Sequence, residues 1–184
     1  MLDITLPTGR LDLCKNEGVR RGIFGGTFNP IHHGHIHAIA YALETADLDI
    51  IHVMVAGDPY QKNEIVVDSN LRLEWTKLAV EEFYPRRNEV VVDDREVLRS
   101  GPTYTIDTLR ELQEEFLGDE LVLIVGEDIV KTISTWNNAD EIAEISEMFV
   151  VPRSIFPTSS TYIRTAIRDK KPITGLLPAS IEAE

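Results

Sequence analysis

Apolar residues recur along this chain in two alternating rhythms. Short runs rich in β-branched residues, at 19–24, 50–55, 89–92, 121–125 and 148–151, read as strands. The run Leu121-Val122-Leu123-Ile124-Val125 has no polar member, the mark of a parallel strand covered on both faces. Between the runs the apolar spacing changes to that of helices. Ile36, Ile39, Ala40 and Leu43 form an i, i+3, i+4, i+7 stripe in a helix over about 34–45. Leu71, Trp75, Leu78, Ala79 and Phe83 lie roughly on one face of a second helix, capped by Ser69 or Asn70. Ile106, Leu109, Leu112 and Phe116 mark a third, opened by Thr103 or Thr105 and closed by Gly118. A short helical segment after Gly126, a helix near 139–145 and one from Ser159 or Ser160 to about Arg168 complete the series. Strand and helix alternate throughout. The pattern predicts an α/β fold, Rossmann-like and doubly wound, with a mostly parallel sheet in a three-layer α/β/α sandwich.

Residues 1–18 show no sustained period and are read as an N-terminal extension, with 19–184 as a single domain. Hydrophobic content of 43% and charged content of 27% are those of a soluble globular protein. The lone Cys14 cannot form an intramolecular disulfide, and neither a leader pattern nor a long apolar run is visible, so the expected location is cytoplasmic, with no membrane partner. The formal net charge of −13 argues against nucleic acid as a partner, because such binding needs a basic footprint. An anionic ligand must then be held by local donors working against the overall field. Oligomeric state is open.

The local donors stand out in Gly25-Gly26-Thr27-Phe28-Asn29-Pro30-Ile31-His32-His33-Gly34-His35. A strand ends in two glycines, whose missing Cβ atoms permit a sharp turn and close approach to a ligand. Pro30 stiffens the loop. The helix that follows aims its unpaired N–H groups and positive dipole end at whatever the turn holds, which favours phosphate. His32 and His35 sit beside those amides and can each donate to a phosphate oxygen, a protonated ring adding charge. A metal site is the weaker reading: His33 and His37 have i, i+4 spacing but no third ligand is evident. They read as surface or packing residues, and His52 as a strand residue without chemistry. The loop is neither GxGxxG nor GxxxxGK[ST].

It resembles instead the TFxPxHxGH signature of the HxGH nucleotidyltransferase superfamily. Three further blocks sharpen the likeness to the bacterial nicotinate (nicotinamide) mononucleotide adenylyltransferases: Gly101-Pro102-Thr103-Tyr104-Thr105-Ile106-Asp107-Thr108-Leu109, then Ile124-Val125-Gly126-Glu127-Asp128 with Trp136, then Ser159-Ser160-Thr161 with Ile163-Arg164. The match runs from about Val19 to Pro178. It implies transfer of AMP from ATP to nicotinate mononucleotide, or to its nicotinamide counterpart, with pyrophosphate released in NAD biosynthesis. His32 and His35 would be the catalytic pair, His35 nearest the α-phosphorus. Gly25, Gly26, Thr27 and Phe28 would wrap ATP. Ser160, Thr161 and Arg164 would meet its β- and γ-phosphates, and Gly126 and Asp128 its ribose. Thr103, Tyr104 and Trp136 would hold the pyridine, and Lys62 the mononucleotide phosphate. Mg²⁺ would come with ATP, and no protein metal site is implied.

By themselves, hydroxyls at a helix start are ordinary caps and Arg164 an ordinary solvated charge. Trp136 could equally be a plain core aromatic. The chain departs from the family pattern in four places: Asn29 where Asp is common, no Pro-His-Lys form around 56–62, a very short 153–159 segment, and an end soon after Pro178 without the closing helix. Other HxGH members, such as pantetheine-phosphate adenylyltransferases or cytidylyltransferases, lack the second and third blocks. A non-catalytic nucleotide sensor on the same fold is the alternative of a different class.

Overall fold

A computed structural model describes residues 18–58, 67–85, 88–155 and 158–182. The expected extension over 1–17 and the expected phosphate contact Lys62 lie outside the described residues. Five strands form one sheet: β1 (Arg20–Gly26), β2 (Ile50–Val55), β3 (Val90–Asp93), β4 (Glu120–Gly126) and β5 (Glu147–Val151). Their order is β3-β2-β1-β4-β5 and every pairing is parallel, so the sheet goes beyond the mostly parallel one expected. Helices follow the strands: α1 (His33–Thr45), α2 (Ser69–Phe83), α3 (Arg95–Leu98), α4 (Thr105–Glu115), α5 (Glu127–Val130), α6 (Ala139–Ile145), α7 (Ser160–Arg168) and α8 (Ala179–Glu182).

The two-residue period of the strands sends alternate side chains to two separate cores. Phe24, Ile51, Val53, Val55 and Ile124 pack on one face with Ile36, Ile39 and Ala42 of α1, Leu73, Ala79 and Val80 of α2 and Ile163 of α7. Ile23, Met54, Leu121, Leu123 and Val125 pack on the other with Ile106, Leu109 and Leu112 of α4 and Ile142 of α6. The three layers follow. Because the chain winds from β1 to β2 and β3, then crosses to β4 and β5, the winding direction reverses between β1 and β4. In open α/β sheets that gap, at the carboxyl ends of the strands, is where ligands enter.

Three expectations change. The buried stripe of α2 is Arg72, Leu73, Thr76, Ala79 and Val80, while Leu71, Leu78 and Phe83 are exposed. Ala79 and Trp75 of the expected stripe do pack inward, but the rest of the inward face was missed because it carries an arginine and a threonine. The cap of α2 is Asp68, which accepts from the Asn70 N–H at 2.9 Å. A short closing helix does follow Pro178: α8 starts on the Glu82 carboxylate, which accepts from the Ala179 and Ser180 N–H groups.

His52 does have partners. In the buried part of β2 its Nδ1 donates to Asp93 at 3.2 Å and its Nε2 accepts from Arg21 at 3.0 Å. Burial would raise the Asp93 pKa, but hydrogen bonds from His52 and a two-pronged one from Arg95 override it and hold the carboxyl well below the usual range. The Arg21 guanidinium lies 3.5 Å from the Phe116 ring centroid, a cation–π contact. This network closes the α4 side of the sheet away from the cleft.

Candidate active site

At the carboxyl ends of β1 and β4 a cleft opens in two connected lobes. The larger, about 380 Å³, lies between the start of α1, the start of α7 and the β4–α5 turn. The smaller, about 210 Å³, lies between β2, α4 and Trp136. Phe24, Gly25, Gly26, Thr27, Gly126 and Ile129 line both, so the glycine turn is the partition over which the lobes communicate.

In the larger lobe local chemistry decides the loop's shape. Phe28 takes a left-handed φ of 46°, unusual for a bulky residue, and its ring covers Gly26 so closely that a Cβ there would stand 2.7 Å away. A Cβ on Gly25, in contrast, would meet no protein atom within 4 Å. His32 precedes α1 in an extended conformation, and its N–H donates to Nδ1 of His35 at 3.1 Å. That bond assigns the proton of the neutral His35 ring to Nε2. The two imidazoles stack with centroids 3.7 Å apart, and Phe28 meets His35 edge-on at 4.9 Å. Gly34 is required by the stack, since a Cβ there would sit 2.9 Å from the His32 ring.

His32 is buried, and burial, aided by His33, lowers its pKa to about 4. The ring is therefore neutral at pH 7 in the ligand-free protein and offers a hydrogen bond rather than the charge that protonation would add. His33 packs edge-on against Phe83 at 5.5 Å, and His37 is exposed, as the packing or surface reading expects.

The start of α7 faces the start of α1 across this lobe. Ser159 caps α7 by accepting from the Tyr162 N–H at 3.2 Å. Ser160 Oγ donates to the Pro30 carbonyl at 2.9 Å and Arg164 to the Asn29 carbonyl at 2.8 Å, so the hydroxyl–arginine motif also pins the histidine loop from behind. A second hydrogen bond joins Arg164 to Thr161 Oγ1 at 3.3 Å. Asp128 lies across the lobe in an ion pair with Arg153. Arg153 is a residue the sequence patterns did not single out. The available signal was a lone basic residue directly after the last strand.

Three side chains of this lobe have buried polar atoms without hydrogen-bond partners among the described residues: the Asn29 amide, Nδ1 of His32 and the Thr158 hydroxyl. A buried polar group left unmatched costs roughly 1–3 kcal/mol, so a cleft holding several is built to be filled.

The smaller lobe brings together Thr103, Tyr104 and Trp136 as the second and third blocks suggest. The Thr103 N–H donates to the Asp58 carbonyl at 3.1 Å, tying the segment before α4 to the loop after β2. The Trp136 Nε1 is buried without a partner among the described residues. Glu96 of α3 also lines this lobe and was missed. Its carboxylate accepts from Thr108 at 2.7 Å, and burial raises its pKa despite that bond. Among the described residues no group of three His, Cys, Asp or Glu side chains could hold a metal ion, and no helix is long and apolar enough to cross a membrane.

The sequence profile of the cytidylyltransferase-like family matches residues 23–167. A nicotinate-nucleotide adenylyltransferase from Bacillus subtilis is 33% identical over 88% of this chain and 92% of its own length. A relative from Flavobacterium johnsoniae named for the same activity is also 33% identical, over 87% and 92%. The chain belongs to the nicotinate-nucleotide adenylyltransferases.

Its fold is shared with a nicotinate-nucleotide adenylyltransferase structure from Vibrio parahaemolyticus, at TM-score 0.72 and 22% identity over 90% of this chain and 97% of that one. It is shared too with the nicotinic acid mononucleotide adenylyltransferase of Plasmodium falciparum, solved with NaAD, at TM-score 0.71 and 16% identity over 89% and 93%. As a nicotinate-nucleotide adenylyltransferase the chain is a nucleotidyltransferase of NAD biosynthesis.

Proposed function

We propose that the two lobes hold the two substrates of an adenylyl transfer, MgATP in the larger and nicotinate mononucleotide in the smaller, with the glycine turn between them as the place of reaction. The observation that carries this reading is the shared partition: Gly25, Gly26 and Thr27 line both lobes, so groups bound on either side meet over the same backbone. A phosphate oxygen of the mononucleotide attacks the α-phosphorus of ATP in line. The bond from that phosphorus to the bridging oxygen breaks, and pyrophosphate leaves with the electron pair.

No covalent enzyme intermediate is needed, so catalysis is positioning plus stabilisation of charge on the phosphate oxygens. The Nε2–H of His35 donates to the α-phosphate, with neutral His32 stacked behind it as a second donor. The amide-lined tip of α7, with Ser160, Thr161 and Arg164, receives the departing β- and γ-phosphates. Gly126 and Asp128 meet the ribose, and Thr103, Tyr104 and Trp136 enclose the pyridine. Lys62 is assigned to the mononucleotide phosphate. Mg²⁺ enters as part of the MgATP substrate and neutralises its triphosphate.

The test is pyrophosphate release from MgATP with nicotinate mononucleotide, nicotinamide mononucleotide or phosphopantetheine as acceptor. Release with a pyridine mononucleotide and none with phosphopantetheine is expected. Release only with phosphopantetheine, or with none of the three, overturns the reading.

A further inference from the structure

Arg72 is the largest fully buried side chain of the described residues, 1% exposed at the N-terminal end of the α2 face that packs inward. Among the described residues it has no ion-paired carboxylate. Instead its guanidinium is spread over four backbone carbonyls from two loops, the one after β1 and the one between β2 and α2. Nη1 donates to Thr27 at 2.6 Å and to Ala56 at 2.7 Å, Nη2 to Gly57 at 2.9 Å and Nε to Val67 at 3.1 Å. Such a set uses the planar fork that distinguishes arginine from lysine. Burying a cation against neutral carbonyls is costly, and a core position could be filled by leucine or methionine at lower cost. The placement therefore calls for a function beyond packing.

Two of the three residues whose carbonyls meet the tip line the cleft, and the third stands next to its wall. Thr27 follows the glycine partition and lines both lobes, and Ala56 lines the smaller one. Gly57 is wedged against α3, where a Cβ would stand 2.1 Å from the Glu96 carbonyl oxygen. The next residue, Asp58, accepts from the Thr103 N–H at 3.1 Å and so carries the tie into the pyridine wall. One guanidinium thus joins the loop wrapping the triphosphate to the loop supporting the mononucleotide lobe.

We propose that Arg72 is the positioning residue that sets the two lobes in register, so that the attacking phosphate oxygen and the α-phosphorus meet in line. The proposal rests on the two-substrate reading above. It makes a distinctive demand: each substrate still binds in its own lobe when the fork is lost, but the reacting atoms no longer align, and misplacement by about an ångström is enough to cost about a hundredfold in rate.

The experiment compares R72M and R72K with the wild type, and with T76V as a control that removes a buried hydroxyl bond to the Arg72 backbone carbonyl without touching the fork. Rates are normalised to folded enzyme. The expected result is kcat lower by about a hundredfold in R72M and at least tenfold in R72K, with KM for ATP and for the mononucleotide within about threefold. T76V keeps the wild-type kcat. Amide hydrogen exchange supplies an activity-independent readout: protection at 26–28 and 56–58 falls together in both Arg72 variants and stays in T76V. If R72M does not fold, R72K carries both measurements.

Normalised kcat within twofold of wild type in R72K overturns the proposal, as does exchange that rises uniformly over the chain or in only one of the two loops. A wild type inactive on every acceptor would sink the two-substrate reading instead, and paired exchange in the two loops would still support the clamp.

Discussion

The two lobes of the cleft are built in opposite ways. The larger one is assembled from short stretches of chain, the eleven residues 25–35 of loop and helix start, the capped tip of α7 and the turns after β4 and β5, and its donors are backbone amides, imidazoles, hydroxyls and guanidinium groups. The smaller one is assembled from β1, β2, α3, α4, β4 and the Trp136 segment, and is walled largely by apolar side chains, with a few threonines, Glu96 and Asn137. A phosphate site needs amides pointing one way, which a turn and a helix start supply locally. A pyridine site needs flat apolar walls on both sides, which only tertiary packing can bring together. The first lobe is thus sensitive to single atoms and the second to single surfaces.

The contrast predicts a graded set of effects. Replacing His35 by alanine removes the proposed donor at the reacting phosphorus, and kcat for pyrophosphate release should fall by about two to three orders of magnitude. Circular dichroism should show the fold retained, and unchanged turnover would move the chemistry elsewhere.

The next effect concerns acid. The folded pKa of His32, about 4, lies below the value near 6.5 of an exposed imidazole, so below pH 6.5 the unfolded chain takes up a proton that the folded chain refuses. Stability from this residue is complete above pH 6.5 and declines as pH falls toward 4, by about 3 kcal/mol in all. Denaturant titrations at pH 7 and pH 4.5 should show a smaller loss in H32Q than in the wild type. An equal loss would place the acid sensitivity outside this ring.

For the second lobe, W136A should raise KM for the mononucleotide by about tenfold or more, since stacking on an aromatic side chain contributes about 1–3 kcal/mol per base, and W136F should recover most of it. KM for ATP should stay put. A matching rise in both constants would make Trp136 structural. The mildest change is G25A. Its methyl meets no protein atom within 4 Å, so the melting temperature should hold while KM for both substrates rises about fivefold, the effect of one methyl standing in a shared partition. A shift for one substrate only would mean that the lobes do not meet over this turn.

The difference between the lobes is also the difference in what could be read from residues alone. The histidine loop, the Ser159 cap and the five strands are visible as spacing, because turns, caps and buried parallel strands are local devices with local sequence signals. Glu96 carries no such signal, since it is buried, and Arg153 only the weak one of a lone basic residue after the last strand, since the winding of the sheet is what brings it to the cleft. Arg72 is the clearest miss. Amphipathic spacing put Leu71, Leu78 and Phe83 on the buried face of α2 and left Arg72 off it, because a charged residue counts against burial unless its four carbonyl partners are known. The pattern failed where the fold spends stability on something other than packing.

What the order of residues settled was the class of fold, the anion-binding turn and the family, all of which rest on contacts within a few residues of each other. What the folded chain alone decided was that the tips of α1 and α7 face one cleft, that His32 is neutral, and that a buried guanidinium spans two loops. Those depend on which distant backbone atoms share a space with water removed, and desolvation and long-range hydrogen bonding leave no period in a sequence.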